Sequence, residues 1–100
     1  MTRGTTPTHI FRLPMQTSTL KAVRITYKQK DTVVLEKKET DATMQDKTVK
    51  VKLSQEDTLM FAATIPVQMQ IKVMTSDGTV LASPVRTVPV DVILNEEVLE

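Results

Sequence analysis

One hundred residues with 13 Lys and Arg against 12 Asp and Glu give a single-domain length and a net charge of +1, so no global field draws the chain to nucleic acid or an anionic membrane. The absence of cysteine excludes disulfides, thiolate metal sites and cysteine nucleophiles, and two glycines cannot build a phosphate-cradling loop. Sixteen Thr, 13 Val and 5 Ile tilt the composition toward strands, where branched side chains fit a pleated surface.

In chain order, Met1-Thr2-Arg3-Gly4-Thr5-Thr6-Pro7 leads into no apolar run of secretory type, and no stretch of ~18 apolar residues follows. The expectation is a protein without signal peptide or membrane insertion, with residues 1–7 and 95–100 flexible about one domain. From His9 the pattern turns to period two, with Phe11, Leu13 and Met15 on one face. Leu20 to Lys28 alternates Val23, Ile25 and Tyr27 with Arg24, Thr26 and Lys28, and Thr32 to Lys38 returns after Gln29-Lys30-Asp31, which predicts a hairpin. In Thr48 to Leu53, lysines at 50 and 52 mark a solvent-facing side. Ser54 followed by Glu56 and Asp57 reads as an N-cap and one helical turn near 54–59 that sends Leu59 and Phe61 inward. Ala62 to Pro66 then reads as a return to strand. Val67 to Met74 alternates again, and Asp77-Gly78 predicts a second hairpin. Val80 to Ala82 returns, breaks near Pro84 and resumes through Val88, Val90, Val92 and Leu94. Pro84 and Pro89 place that stretch at a bulge or a sheet edge. About seven short strands at turn spacings near ~8–12 residues predict an all-β antiparallel sandwich, with a small barrel as the alternative.

Reactive constellations are thin in this pattern. His9 stands alone, without the further ligands a metal site needs, and reads as a surface residue of an edge strand. Glu56 and Asp57 are explained by their place at a helix start. Asp31, Asp41, Asp46 and Asp77 lack calcium-loop spacing. Lys28, Lys30, Lys37 and Lys38 beside Tyr27 resemble a nucleic-acid patch, but Asp31, Glu36 and Glu39 interrupt it, and a solvated hairpin explains them. Tyr27 falls in phase with the core. Met69 does too, while Met15, Met44, Met60 and Met74 are core fillers or parts of an adaptable contact surface. The reading assigns no catalytic, cofactor-binding or metal residue and no cofactor. Charge divides unevenly, with a net of +5 over residues 1–50 and −4 over 51–100. Strands of opposite sign pairing within the sandwich account for this, and a two-signed surface for head-to-tail association is the alternative.

Two resemblances add to this pattern. Leu53-Ser54-Gln55-Glu56-Asp57-Thr58-Leu59-Met60-Phe61 superficially resembles the immunoglobulin turn into strand F, but Phe61 stands for the Tyr, Ala63 for the Cys, and no Trp exists. Only an immunoglobulin-like shape is implied. Across most of the chain, the segments Thr6–Phe11, Val23–Gln29, Leu53–Thr58, Val67–Gln70, Asp77-Gly78 and Ala82-Ser83 are similar to a family of small all-β proteins of prophages and phage-like elements of Gram-positive bacteria, whose individual roles are undefined. That resemblance implies a non-enzymatic structural or assembly protein, made in the bacterial cytoplasm and associated with a virion. Its implied partners are other virion proteins or itself as a homo-oligomer, with no nucleic acid. The alternative is a stand-alone binding module, such as a host-factor inhibitor or adhesion-like domain, with Met60, Met74 and the 28–38 hairpin as its candidate surface. An enzyme, the third reading, would need a pocket at His9 or Glu56.

Overall fold

Strict alternation makes strand β2 (Leu20–Gln29) the spine of the larger sheet in the computed structural model, which describes residues 1–100. Val23, Ile25, Tyr27 and Gln29 are buried along one side of β2, with Arg24, Thr26 and Lys28 on the other. Strand β3 (Thr32–Lys38) pairs with one edge of β2, and β6 (Val67–Thr75) with the other. The far side of β6 is covered in two pieces, β7 (Val80–Ala82) and β8 (Arg86–Val88). The smaller sheet has the order β1 (Thr8–Arg12), β5 (Thr48–Lys52), β4 (Ala42–Gln45). All strand pairings are antiparallel. The two sheets face each other without closing, so the architecture is the sandwich expected from the spacing and not the barrel. There are eight strands rather than about seven. The extra one, β4, escapes a periodicity reading because three of its four residues are exposed.

The core is where the two alternating rows meet. Phe11, Val49 and Val51 from the smaller sheet pack against Val23, Ile25, Tyr27, Val67, Met69, Ile71 and Val73 from the larger, and Leu53, Phe61 and Val90 close one end. Each of these aliphatic side chains stabilises the fold by roughly 1.5–3 kcal/mol through the apolar surface it removes from water. The lysine rows at 50 and 52 stay in solvent as the pattern required.

Helix α1 (Gln55–Leu59) forms where the serine and carboxylate spacing placed it. The Ser54 hydroxyl accepts from Asp57 N at 3.0 Å, and the Asp57 carboxylate accepts from Ser54 N at 2.9 Å. Its last carbonyls are capped from a distance: the Arg3 guanidinium donates to Leu59 O (3.1 Å) and Phe61 O (2.7 Å) and pairs with Glu96 at 2.6 Å. Residues 1–7, read as flexible, carry these contacts together with a Thr58 hydroxyl bond to Thr5 O and a Thr2–Asp91 bridge. Gly4, at φ +74°, lets Ile93 cross so closely that a Cβ would lie 3.1 Å from it.

Ala62 to Pro66 does not return to strand. Buried Gln29, the last residue of β2, donates from Nε2 to Ala62 O and Ile65 O, each at 2.8 Å, and accepts from Ala62 N at 2.8 Å. These three bonds turn the segment across the end of the sandwich and hold Thr64 at φ +69°, a conformation unfavourable for a branched side chain. The Asp77-Gly78 hairpin forms as expected, with Gly78 at φ +90° and Gly78 N bonded to Thr75 O at 3.0 Å. No helix is long and apolar enough to cross a membrane.

Two stability changes follow from Gln29 and Thr64. Gln29→Ala should lower the unfolding free energy by about 2 kcal/mol in urea titration, because it strips the partners from three loop groups at once. Thr64→Gly should raise it by about 1 kcal/mol, since glycine occupies that φ without a Cβ clash.

Candidate functional site

His9 is carried on an edge strand, as expected, but it does not lie on the surface side. It is in phase with Phe11, so its ring turns inward, half-buried, and its Nδ1 lies 2.7 Å from the Tyr27 hydroxyl. The ring centroids are 5.5 Å apart, and Phe61 packs on the other side of Tyr27 at 5.9 Å. Burial, reinforced by the Asp57 charge, pushes the Tyr27 phenol well above its ordinary pKa, so it keeps its proton and donates it. Burial, helped by the Arg86 cation, holds His9 below the usual imidazole value, so it is the neutral acceptor. The pair binds β1 to β2 through one part-buried hydrogen bond. Chemically it is a cross-sheet rivet, since Tyr27 is fully enclosed and has no face for a substrate.

The acidic residues fall elsewhere. Partial burial pushes the Asp57 carboxyl up, but the Ser54 amide and the Lys37 ammonium more than offset this and hold it below the carboxylate range. Lys37 sits opposite Ile25 on the inner side of the sheet and reaches out to Asp57 at 3.0 Å. The 28–38 lysine patch is therefore not a unit: Lys37 points inward to an ion pair, while Lys28 and Lys38 point outward. Asp77 serves its own turn through Thr75 and Thr79, and Glu39 pairs with Arg24 at 2.8 Å. Asp31, Asp41 and Asp46 each lie in separate connections. No three residues among His, Asp and Glu come together in metal-binding fashion. None of the five main surface hollows is lined by His9 or Glu56. The methionines are dispersed: Met69 is core, Met60 and Met44 are exposed on different elements, and Met74 lies on the outer face of β6 opposite Val80.

What the fold does leave open is one flank of the sandwich. The smaller sheet ends at β1 and the larger at β7 and β8, and between these edges runs a cleft of about 270 Å³. Ile71 and Val73 form its floor, Leu81 and Pro84 one wall, and Leu13 and Met15 the other. Leu81 stands opposite Val73 in the ladder and so faces inward, yet it is 42 % exposed because no strand of the smaller sheet lies above it. An adjoining hollow of about 330 Å³ continues along the flank past Pro84 to Arg86.

Two backbone features shape this flank. At Pro84 the ladder is interrupted, and the residue offset between the paired strands shifts by one between β7 and β8. Ser83 holds the break by donating from its amide to Ile71 O (2.9 Å) and accepting Ile71 N on its hydroxyl (3.2 Å). The shift turns Arg86 inward, where its guanidinium lies 5.2 Å from the Phe11 ring centroid and donates to Ile10 O at 3.4 Å. Arg86 thereby covers the half of the flank nearer α1, while the other half stays open. Arg12 and Arg86 are the charged residues lining the two hollows, and no carboxylate lines either. None of Leu81, Ser83 and Arg86 was expected as a site residue, Ser83 entering only with Ala82 in the resemblance; the cue was Pro84, expected at a bulge or a sheet edge, where the edge strands change offset.

The chain matches no protein-family model, no curated protein and no solved structure.

The His9–Tyr27 bond generates a pH dependence with a definite sign. Because the folded imidazole takes up a proton less readily than the free value of 6.5, its contribution is complete above about pH 6.5 and declines as pH falls below it. Unfolding measured between pH 7 and 5 should show the native chain losing stability on acidification and His9→Gln losing distinctly less. The lowered carboxylates Asp57, Asp77 and Glu39 act in a separate window, below about pH 4.

Proposed function

We propose that this chain is a non-enzymatic structural or assembly protein of a phage-like particle, acting through protein–protein contacts along its open flank. The observation that carries the reading is the apolar cleft between two sheet edges, with Leu81 exposed on its wall above the buried Ile71 and Val73. An edge strand presents unpaired main-chain donors and acceptors, and a neighbouring apolar floor adds side-chain pockets at the strand spacing. Along β1 the bonds from Leu53 N to Pro7 O and from Leu13 N to Lys47 O set the odd residues toward β5. Thr8, Ile10 and Arg12 therefore turn their main-chain groups toward the flank. The setting comes from the resemblance of the Thr6–Phe11, Val23–Gln29 and Leu53–Thr58 segments to small prophage proteins. In that setting the chain is made in the bacterial cytoplasm and joins a particle through repeated contacts, a use to which a short sandwich with one open side is suited.

Val85 and Val33 allow a direct comparison. Both are a little over half exposed, at 53 and 54 %, but Val85 borders the flank and Val33 lies on the opposite edge strand β3. A photo-crosslinking residue at Val85, in cells producing the particle, should give a discrete adduct that sediments with the particle, and one at Val33 should not. Equal labelling from both positions, or none from Val85, would remove the flank as the contact surface.

A further inference from the structure

Resting on the reading of the flank as a contact surface, we infer that its occupant is the C-terminal segment Val92–Glu97 of a second copy of this chain, seated so that copies associate head to tail. The segment has the chemistry the cleft lacks. It is apolar at Val92 and Leu94, both exposed, and acidic at Glu96 and Glu97, whereas the cleft is apolar with arginines as its only charges. Leu94 is the most exposed large hydrophobic in the molecule and touches nothing that explains it. Ile93, between these two, is turned the other way against Gly4 and anchors the segment to its own copy.

The main chain of the segment is equally unemployed. From Val92 to Glu96 it makes no main-chain hydrogen bond within the protein; the bonds resume only with Glu97 N to Asn95 Oδ1 and the Gln55 amide on Leu99. A row of free donors and acceptors beside alternating exposed side chains is the half of a strand pairing that the outer edge of β1, where Arg86 already reaches Ile10 O, completes. Charge supports the same match: residues 91–100 hold four carboxylates and no base, and of these Glu96 alone engages a side-chain cation of its own copy, Arg3.

Position in the fold separates the two halves of the contact. The segment lies at the α1 end, tied there through Arg3 and Gln55. The cleft lies toward the other end, where β1 runs out at Arg12 and β6 approaches its hairpin. One copy cannot fill its own cleft this way. Copies that add tail to cleft close as a reciprocal pair or continue into a ring or an open row. The charge division along the chain, basic in the first half and acidic in the second, takes on a role in this arrangement.

The test uses full-length variants in sedimentation over a concentration series. Leu94→Asp alters a side chain that supports nothing in its own copy, and Leu81→Asp alters the cleft; Arg12→Glu is a second cleft variant at an exposed position, independent of whether Leu81→Asp folds. The native chain should rise above its 11.2 kDa protomer mass with concentration and fall back in high salt. Each single variant should weaken this association about tenfold or more. Mixing Leu94→Asp, which keeps an intact cleft, with a cleft variant, which keeps an intact tail, should restore a contact that stops at twice the protomer mass. If Leu94→Asp associates like the native chain, or the mixture stays at protomer mass, the inference is overturned. If the native chain remains at protomer mass while Val85 crosslinks to a different particle protein, the tail is ruled out as occupant and the flank stands as a contact surface. If neither self-association nor a Val85 adduct is found, both readings fall.

Discussion

The inward row of β2 is the constraint from which the rest of the structure follows. Val23 and Ile25 are simply apolar, but Tyr27 and Gln29 bring a hydroxyl and an amide into the interior, where each polar atom needs a partner. The hydroxyl finds one in the opposite sheet, on His9, and so sets β1 over β2. The amide finds three in the 62–65 segment and so closes the end of the sandwich beside Phe61. No buried side-chain polar atom is left without a partner. A register slip of one residue in β2 would turn the whole row to solvent and abolish both connections, which makes the pairing strongly specified.

The open flank is the consequence of two sheets of unequal width. The larger sheet extends past β6 into β7 and β8, while the smaller one stops at β1. Leu81, on the overhanging part, faces inward as its ladder partner Val73 requires, and no strand of the smaller sheet lies above it. The fold restricts this exposure at one place, where Arg86 lies over Phe11, and leaves it at another, where Leu81 meets Leu13 and Met15. The break at Pro84 is what makes these two halves differ, since without the one-residue shift Arg86 would point outward.

The remaining edges are treated differently. On β3 the inward-facing Lys37 carries its charge out to Asp57, a device that makes edge pairing unfavourable. On β4 the strand is short and mostly exposed, with lysines following it at 47 and 50. The edges differ: two carry protection, and the flank between β1 and β7 carries an apolar floor instead.

Much of this architecture was legible along the chain. The alternation in β2, β5 and β6, the Ser54–Asp57 box and the Asp77-Gly78 turn are local patterns, each read from residues within a few positions of one another. Four things were not local. β4 lacks a buried row of its own, so only its pairing with β5 reveals it. The 62–66 segment looks like a strand until a glutamine 33 residues away takes its hydrogen bonds. His9 is in phase with Phe11, but its partner Tyr27 belongs to the other sheet, and the cleft exists only because two sheets of different width are superposed. The sequence by itself determined which residues alternate, turn and cap, because those are short-range consequences of pleat geometry and backbone conformation. The tertiary structure alone decided which polar groups meet in the core and which apolar ones are left uncovered, because both depend on how far one sheet extends beyond the other.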